Sequence, residues 1–600
     1  MKSISKTYHR TGFCTRFLLC LLTVGMVLSM CSGFVSAAGS QETPSEKLIH
    51  EEVKKIITDY WNEHTETSAG MAVAVFDRNG IIYTDTFGYA DKEQNIKLEK
   101  GQVLDWGSIS KTLIWVSAMQ LKEQGKLDLN RDIRDYLPEG FLTHLHYDKP
   151  ITMLHLMNHT AGFEELMFEL ETPDANAIIP LGEFLKTYQP NQAFEPGLTV
   201  AYSNWGAALA GYVIECISGE PYADYVHQHI FEPLHMQHSA LYPDLSDDPE
   251  VAENRKILKG YTRDGESAGD CYRYILAYPA GMCTSDIADL TTYAQALADP
   301  ETILFQDKAT YQELFTTTHY LGDTDIPVIC HGFWQSEYGE NVIGHGGNTS
   351  SCSSQLQFDS ETGVGMVVMT NQIGERNFCN DMVKLIMTEP AVDQHEGVNG
   401  KVLILPTVLN GPFKLLSLGS VADVREEMFS NYLCDRQTTD QIDRIDAVEA
   451  DFIVLSSGDI AAMYIPILLW GAALIFAVLS LLVKFVRMVV RKIKKQDNTI
   501  LMGKWSAVSS LLIIGSLLLL VPCADSLMNE MWSINGYRIW SICYLVLAAI
   551  MILVLVTGCI RIGRNPMSVR RRIYNGITIL MTAAGIYNII YWQLYTFWLL

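Results

Sequence analysis

The 600-residue chain contains no C-x-x-C pair, no H-E-x-x-H and neither a Walker nor a Rossmann glycine pattern. These absences remove zinc ribbons, thioredoxin-like redox chemistry, zincin-type proteolysis and the common nucleotide-binding loops. No metal and no cofactor is expected. Positive charge is also in short supply, with 44 Lys+Arg against 68 Asp+Glu and a formal net charge of −24. The acidic part of the chain carries no basic stripe, which argues against nucleic acid as a partner. Internal repeats and long low-complexity segments are missing as well. Cysteine is present, but between residues 38 and 459 it is limited to Cys216, Cys271, Cys283, Cys330, Cys352, Cys379 and Cys434, an odd set with irregular spacing that defines no disulfide framework.

The acidic balance sits beside a positive mean hydropathy of +0.10, a contradiction that disappears once the chain is divided. The acidic excess lies between residues 38 and 459, and both flanks are basic and apolar. At the start, Lys2, Lys6, Arg10 and Arg16 precede an apolar run over Phe17–Phe34, and Val35-Ser36-Ala37 supplies a small-residue cleavage pattern. This predicts a signal peptide over 1–37. At the other end, apolar runs near 460–483, 505–522, 539–560 and 575–599 are each about long enough to cross a bilayer. Lys484, Arg487, Arg491, Lys492, Lys494 and Lys495 follow the first run, and Arg561, Arg564, Arg570, Arg571 and Arg572 follow the third. The positive-inside rule puts both loops in the cytoplasm and residues 38–459 on the other side of the membrane, as the leader independently requires.

Within that part, residues 45–65 read as a helix. "GMAVAVFDRNGIIYTDTFGYAD" alternates apolar and polar residues around Asn79-Gly80, a hairpin signal. Residues 353–371 repeat the strand–turn–strand pattern, 375–387 read as helix, and the stretch from about 105 to 300 is mostly helical. Strands at both ends with helices between them predict an α+β domain over 45–390, its sheet assembled from both ends of the sequence. Residues 391–458, with two candidate strands at 401–405 and 451–455, read as a small appendage or linker before the four membrane helices at 460–600.

The pentapeptide "SISKT" occurs twice, at Ser3–Thr7 and Ser108–Thr112. In the first copy Lys6 is a topology charge of the leader. In the second, Leu113, Val116, Met119 and Leu121 recur at roughly helical spacing, so Ser108 opens a helix and Lys111 follows one turn later on the same face. A serine hydroxyl needs a neighbouring base to become a nucleophile, and a lysine can serve if burial and the helix N-terminus lower its pKa. A bare S-x-x-K is expected about twice by chance in a chain of this size and composition. The second copy gains weight from its company: Tyr202-Ser203-Asn204 ahead of a helix, and His345-Gly346-Gly347 entering a strand region.

S-x-x-K, Y-x-N and K/H-x-G in that order resemble the serine β-lactamase and penicillin-binding protein superfamily, in its class C-like branch. "ITMLHLMNHTAGF" (151–163), "FEPG" (194–197) and "YPAGMCTSDIADL" (278–290) extend the resemblance over about 45–390. It implies the family's antiparallel sheet flanked by helices, with a helical subdomain, and a serine hydrolase that forms an acyl-enzyme. Carried over by position, Ser108 is the nucleophile, Lys111 its proton partner, and Tyr202 the general base or acid that protonates the leaving group. Asn204 would hydrogen-bond the substrate amide, His345 would line the substrate strand, and Gly346 and Gly347 would let substrate approach its edge. The backbone N–H groups of Ser108 and Asn348 would form the oxyanion hole.

The third motif departs from the lysine form of β-lactamases. His345 would be mostly neutral at neutral pH and would grip a carboxylate weakly. The expectation therefore moves from an efficient β-lactamase to D,D-peptidase, D-aminopeptidase or esterase chemistry on peptide or ester substrates outside the cytoplasm, cell-wall fragments among them. The membrane runs resemble those of prodrug-activating peptidases of nonribosomal peptide pathways. A non-catalytic penicillin-binding or wall-fragment sensor is the alternative of a different class. His155 and His159 stand four apart, but inside the family-like segment they read as structural rather than as metal ligands.

Overall fold

The computed structural model describes residues 50–166, 170–322, 324–336, 339 and 341–387, short strands and single positions between 394 and 446, and 451–495, 504–522, 534–564 and 566–597. The expected leader over 1–37, the first "SISKT" with it, and much of the appendage lie outside the described residues. The chain divides into two compact units, one holding the bulk of the sequence up to Asn399 and the other Ile453–Leu600 with Gly400–Val424.

The larger unit is built on a nine-stranded sheet. Its strands are β1 (Gly70–Asp77), β2 (Gly80–Asp91), β3 (Ile96–Lys97), β4 (His319–Tyr320), β5 (Pro327–Cys330), β6 (Phe333–Gln335), β7 (Val342–Asn348), β8 (Ser353–Asp359) and β9 (Gly365–Thr370). Their order is β4-β5-β6-β7-β8-β9-β1-β2-β3, and every pairing is antiparallel. The N-terminal hairpin thus inserts beside the last strand, as strands at both ends of the domain predict.

Strand β1 is an interior strand, third from one edge, and its period-two pattern divides the core. Met71, Val73 and Val75 join Val53, Ile57 and Trp61 of helix α1 (His50–Glu63) and Met382, Val383 and Ile386 of the helix Met382–Met387. Ala72, Ala74 and Phe76 face the opposite way, into the large core with helix α2 (Lys111–Glu123) and the helices Asn204–Ser218 and Ile287–Ala298. The sheet is therefore the middle layer, and the helical stretch between β3 and β4 covers one of its faces. The β1–β2 hairpin forms where Asn79-Gly80 predicts it, but neither Arg78 nor Asn79 has positive φ. The Asp77 carboxylate holds the turn instead, accepting from the N–H groups of Asn79 and Gly80 at 2.7 and 3.1 Å.

In the second unit, Val402–Ile404 pairs antiparallel with Ile453–Leu455, the two strands expected there. Helices Ser457–Ile493, Lys504–Pro522, Arg538–Arg564 and Val569–Tyr591 are each long and apolar enough to cross a membrane. At 1.5 Å per residue the first is about 55 Å long, well beyond a hydrocarbon core of about 30 Å, so its Lys/Arg-rich end extends past the span. The helices meet through Trp470, Ala473, Ala477, Ile513, Tyr544 and Met551, and Leu468 and Leu553 point outward. Hydroxyls supply the polar contacts: Trp470 Nε1 donates to Ser516 Oγ at 3.0 Å, Tyr544 Oη donates to the Ser516 carbonyl at 3.0 Å, and Ser509 pairs with Thr582.

Candidate active site

Ser108 lies in a 3-10 turn, Gly107–Ser110, that runs directly into α2. The turn carries Lys111 onto the same face, and Lys111 Nζ stands 3.0 Å from Ser108 Oγ. Tyr202 Oη donates to the same Ser108 Oγ at 2.9 Å. Ser108, Tyr202 and Asn204 are partly exposed, whereas Lys111 is fully buried. The Ser108 hydroxyl is thus reachable and the Lys111 amine is dry.

Lys111 Nζ has three partners: Ser108 Oγ, Asn204 Oδ1 at 2.7 Å and the Ala280 carbonyl at 2.7 Å. Asn204 Oδ1 and the carbonyl can only accept. A neutral lysine has two hydrogens, so satisfying both directs its lone pair at the Ser108 hydroxyl. Burial pushes the Lys111 ammonium down to about 7, with the charge of Glu165 acting the other way. Burial therefore makes the neutral amine easier to reach than it is for a solvated lysine.

Tyr202 is held by aromatic neighbours. His159 packs on it with centroids 4.4 Å apart and Trp334 stacks at 6.5 Å. His159 adopts φ 53°, and its Nδ1 accepts from Ser203 N at 3.3 Å. His155 completes a capping box with Thr152 on the helix Met153–Met157. His159 thus supports the backbone that carries Tyr202, and His155 caps its own helix.

The third motif lies on β7, beside the Ser108 turn. At Gly107 (φ +55°) a Cβ would stand 2.5 Å from Asn348 N, and at Gly347 one would stand 1.9 Å from the Trp106 carbonyl and 3.0 Å from Ser108 N. Two glycines therefore let the turn and the strand cross closely enough to bring the Ser108 and Asn348 amides together. Asp105 ties the two segments. Its carboxylate accepts from Arg255 Nε and Nη2 at 2.6 and 2.9 Å and from Thr349 Oγ1 at 3.1 Å.

His345 is buried, and both of its ring nitrogens are engaged. Nε2 accepts from Trp334 Nε1 at 3.2 Å, and Nδ1 faces the Gly346 carbonyl at 2.6 Å, which fixes a single neutral tautomer. Burial and the charge of Lys111 hold its pKa down at about 3. The side chain is turned into the protein, Gly347 is buried against the Ser108 turn, and Gly346 and Asn348 are the accessible positions of this stretch.

Residues without a sequence signal complete the site. Glu165 Oε2 accepts from Asn204 N at 2.8 Å and Oε1 from Asn204 Nδ2 at 3.0 Å. Ala280 supplies a carbonyl to Lys111, and Trp334 supports both Tyr202 and His345. Glu165 follows the quoted 151–163 segment by two residues and Ala280 lies within "YPAGM" (278–282), so both sit in or beside family-like stretches, yet nothing in their local sequence marks a contact with Lys111 or Asn204. Among the described residues, His238, Asp286 and Asp289 are close enough to share a cation, but His238 is exposed and the carboxylates serve Asp289 N, His238 N and Ser239 Oγ. No role in the site is assigned to them.

Parts of this chain are similar to known proteins. PbpX of Bacillus subtilis (strain 168) is 30% identical over 264 residues, 43% of this chain and 61% of that protein. A Beta-lactamase of Yersinia enterocolitica is 29% identical over 234 residues, 39% of this chain and 56% of that protein. The chain thus spans 61% and 56% of the length of these two relatives. Among solved structures, EstCE1, a hydrolase with promiscuous acyltransferase activity, has a TM-score of 0.48 and 18% identity over 56% of this chain and 99% of its own. The Beta-lactamase family model matches residues 53–382, which contain the nine strands, the Ser108 turn and all three motifs, and the chain belongs to that family.

Proposed function

We propose that this protein is a membrane-anchored serine hydrolase that forms an acyl-enzyme on Ser108. The observation that carries the reading is Ser108 Oγ held between Lys111 Nζ at 3.0 Å and Tyr202 Oη at 2.9 Å. In acylation, Ser108 Oγ attacks the substrate carbonyl carbon and its proton passes to neutral Lys111. The carbonyl oxygen becomes an oxyanion, received by the N–H groups of Ser108 and Asn348. The bond to the leaving nitrogen or oxygen then breaks as Tyr202 donates its proton to the leaving group, and Lys111 returns a proton to Tyr202. Water attacking the ester carbon reverses the sequence and frees Ser108.

The substrate class is D-amino-acid-containing peptides or esters outside the cytoplasm. A neutral, internally bonded His345 offers no cation to a substrate carboxylate, which favours amidase, aminopeptidase or esterase chemistry over efficient penicillin hydrolysis. A signal peptide over 1–37, a hydrolase domain over 45–390, an appendage over 391–458 and four spans over 460–600 complete the layout, with both basic loops in the cytoplasm. The sensor alternative has less support, because a pure binding site has no need of a proton partner poised near 7 beside a reachable serine.

The test is intact-mass and peptide mass spectrometry of the full chain in detergent after exposure to a fluorophosphonate and, separately, to penicillin. An adduct on Ser108 from the fluorophosphonate, absent in Ser108→Ala, is the expected result. No adduct from either reagent on the folded protein refutes the hydrolase reading. Labelling by the fluorophosphonate alone favours an esterase or aminopeptidase over a D,D-peptidase.

A further inference from the structure

Asn204 is the first residue of its helix, and its N–H is one of the helix-start donors that no helical carbonyl can satisfy. Ser203 caps the helix conventionally, its Oγ accepting from Gly206 N at 3.0 Å. Glu165 adds something a cap does not need. Its two oxygens take the Asn204 backbone and side-chain N–H groups together. A carboxylate can only accept from that amide, so Nδ2 must turn toward Glu165 and Oδ1 toward Lys111, where it lies 2.7 Å from Nζ. Reversing the amide would set an NH2 group against the ammonium and an oxygen against the carboxylate.

We propose that Glu165 is a positioning residue for the Ser108 chemistry: it locks the amide orientation of Asn204 and, through that amide, places a negative charge one residue away from buried Lys111. The inference rests on the acyl-enzyme reading above. Two consequences follow from the same contacts. With Oδ1 fixed on Lys111, a neutral Lys111 keeps its lone pair on Ser108. With one Nδ2 hydrogen on Glu165, the other is left to meet a substrate carbonyl, which reconciles Asn204's substrate role with its contact to Lys111. Burial pushes the Glu165 carboxyl up to about 7 against the hydrogen bonds from Asn204 and the charge of Lys111. Burial likewise pushes the Lys111 ammonium down, against the charge of Glu165, so the protonation of each group depends on that of the other.

The experiment measures the rate of Ser108 labelling by a fluorophosphonate from pH 5 to 10, on the full chain in detergent, for wild type, Glu165→Gln and Glu165→Asp. Glutamine keeps the shape but removes the charge that favours the ammonium, so the acid limb should move down by about one pH unit. Its NH2 group also opposes one Asn204 donor, so the plateau rate should fall about tenfold to a hundredfold. Aspartate keeps the charge at a shorter reach, so its limb should stay near wild type while its plateau falls. A purely structural Glu165 would lower the melting temperature and plateau of both variants and leave both limbs in place, and that result overturns the inference. A wild-type chain that is never labelled at Ser108 overturns the acyl-enzyme reading itself, a separate outcome visible before any variant is made.

Discussion

Replacing Arg255 by methionine probes how the active-site crossing is held together. The guanidinium and the Asp105 carboxylate are both almost fully buried, with side chains 4% and 6% exposed. Burial alone would raise the Asp105 pKa, but the charge and hydrogen bonds of Arg255 outweigh it and hold the carboxyl below its ordinary range. In Arg255→Met, Asp105 keeps only neutral donors, among them Thr349 Oγ1 at 3.1 Å, Thr284 Oγ1 at 3.4 Å and the Cys352 thiol. A buried carboxylate stripped of its counter-charge costs about 3–5 kcal/mol. At roughly 2 °C per kcal/mol for a domain of this size, the midpoint should drop by roughly 6–10 °C. Cys283, Cys330, Cys352 and Cys379 are buried thiols, so a thiol-reactive fluorophore added during a thermal ramp reports unfolding of this unit in the intact membrane protein. The double variant Asp105→Asn/Arg255→Met removes the stranded charge and should recover most of the loss. Because Asp105 is three residues ahead of Ser108 and bonds the residue after Asn348, Arg255→Met should also slow Ser108 labelling at 20 °C by about tenfold. A single variant melting within 2 °C of wild type, or a double variant no better than the single, would refute this account.

Gly347→Ala places a Cβ 1.9 Å from the Trp106 carbonyl and should cut Ser108 labelling by about a hundredfold or more, read as adduct yield against time; near-normal labelling would mean that the turn and β7 need not cross so closely. His345 is held neutral down to about pH 3, whereas an unfolded histidine takes a proton near 6.5, so below about 6.5 the unfolded state binds one more proton and stability falls with falling pH. His345→Gln should remove about 1.4 kcal/mol per pH unit of that slope between pH 6 and 4, checked by thermal midpoints across pH; an unchanged slope would place the titration elsewhere. Alkaline phosphatase fused after residue 458 should be active and after residue 495 inactive, and the opposite pattern would invert the proposed topology.

Much of this site is legible along the chain because its chemistry comes in short local units. A turn entering a helix places Ser108 and Lys111 three apart on one face, and the order of the three motifs places His345, Gly346 and Gly347 in a strand near that turn. What is not legible depends on contacts across sequence. Glu165 reaches Asn204 over 39 positions and Arg255 reaches Asp105 over 150, and nothing local distinguishes these charged residues from solvated ones. His345 is the instructive intermediate. Its residue type predicts a mostly neutral group, but only the Trp334 and Gly346 contacts turn its ring inward and leave Gly346 and Asn348 as the accessible positions.

The sequence by itself determined the alternating core of β1, the four apolar spans with their basic connectors, and the order of three motifs that separates the second "SISKT" from the first, since periodicity, run length and spacing are properties of the chain. The tertiary structure decided which groups lose water. Burial brings Lys111 and Glu165 to the same pH range, and two glycines at a crossing set the Ser108 and Asn348 amides side by side. Those outcomes arise from desolvation and close approach, which exist only once the sheet has closed over the Ser108 turn.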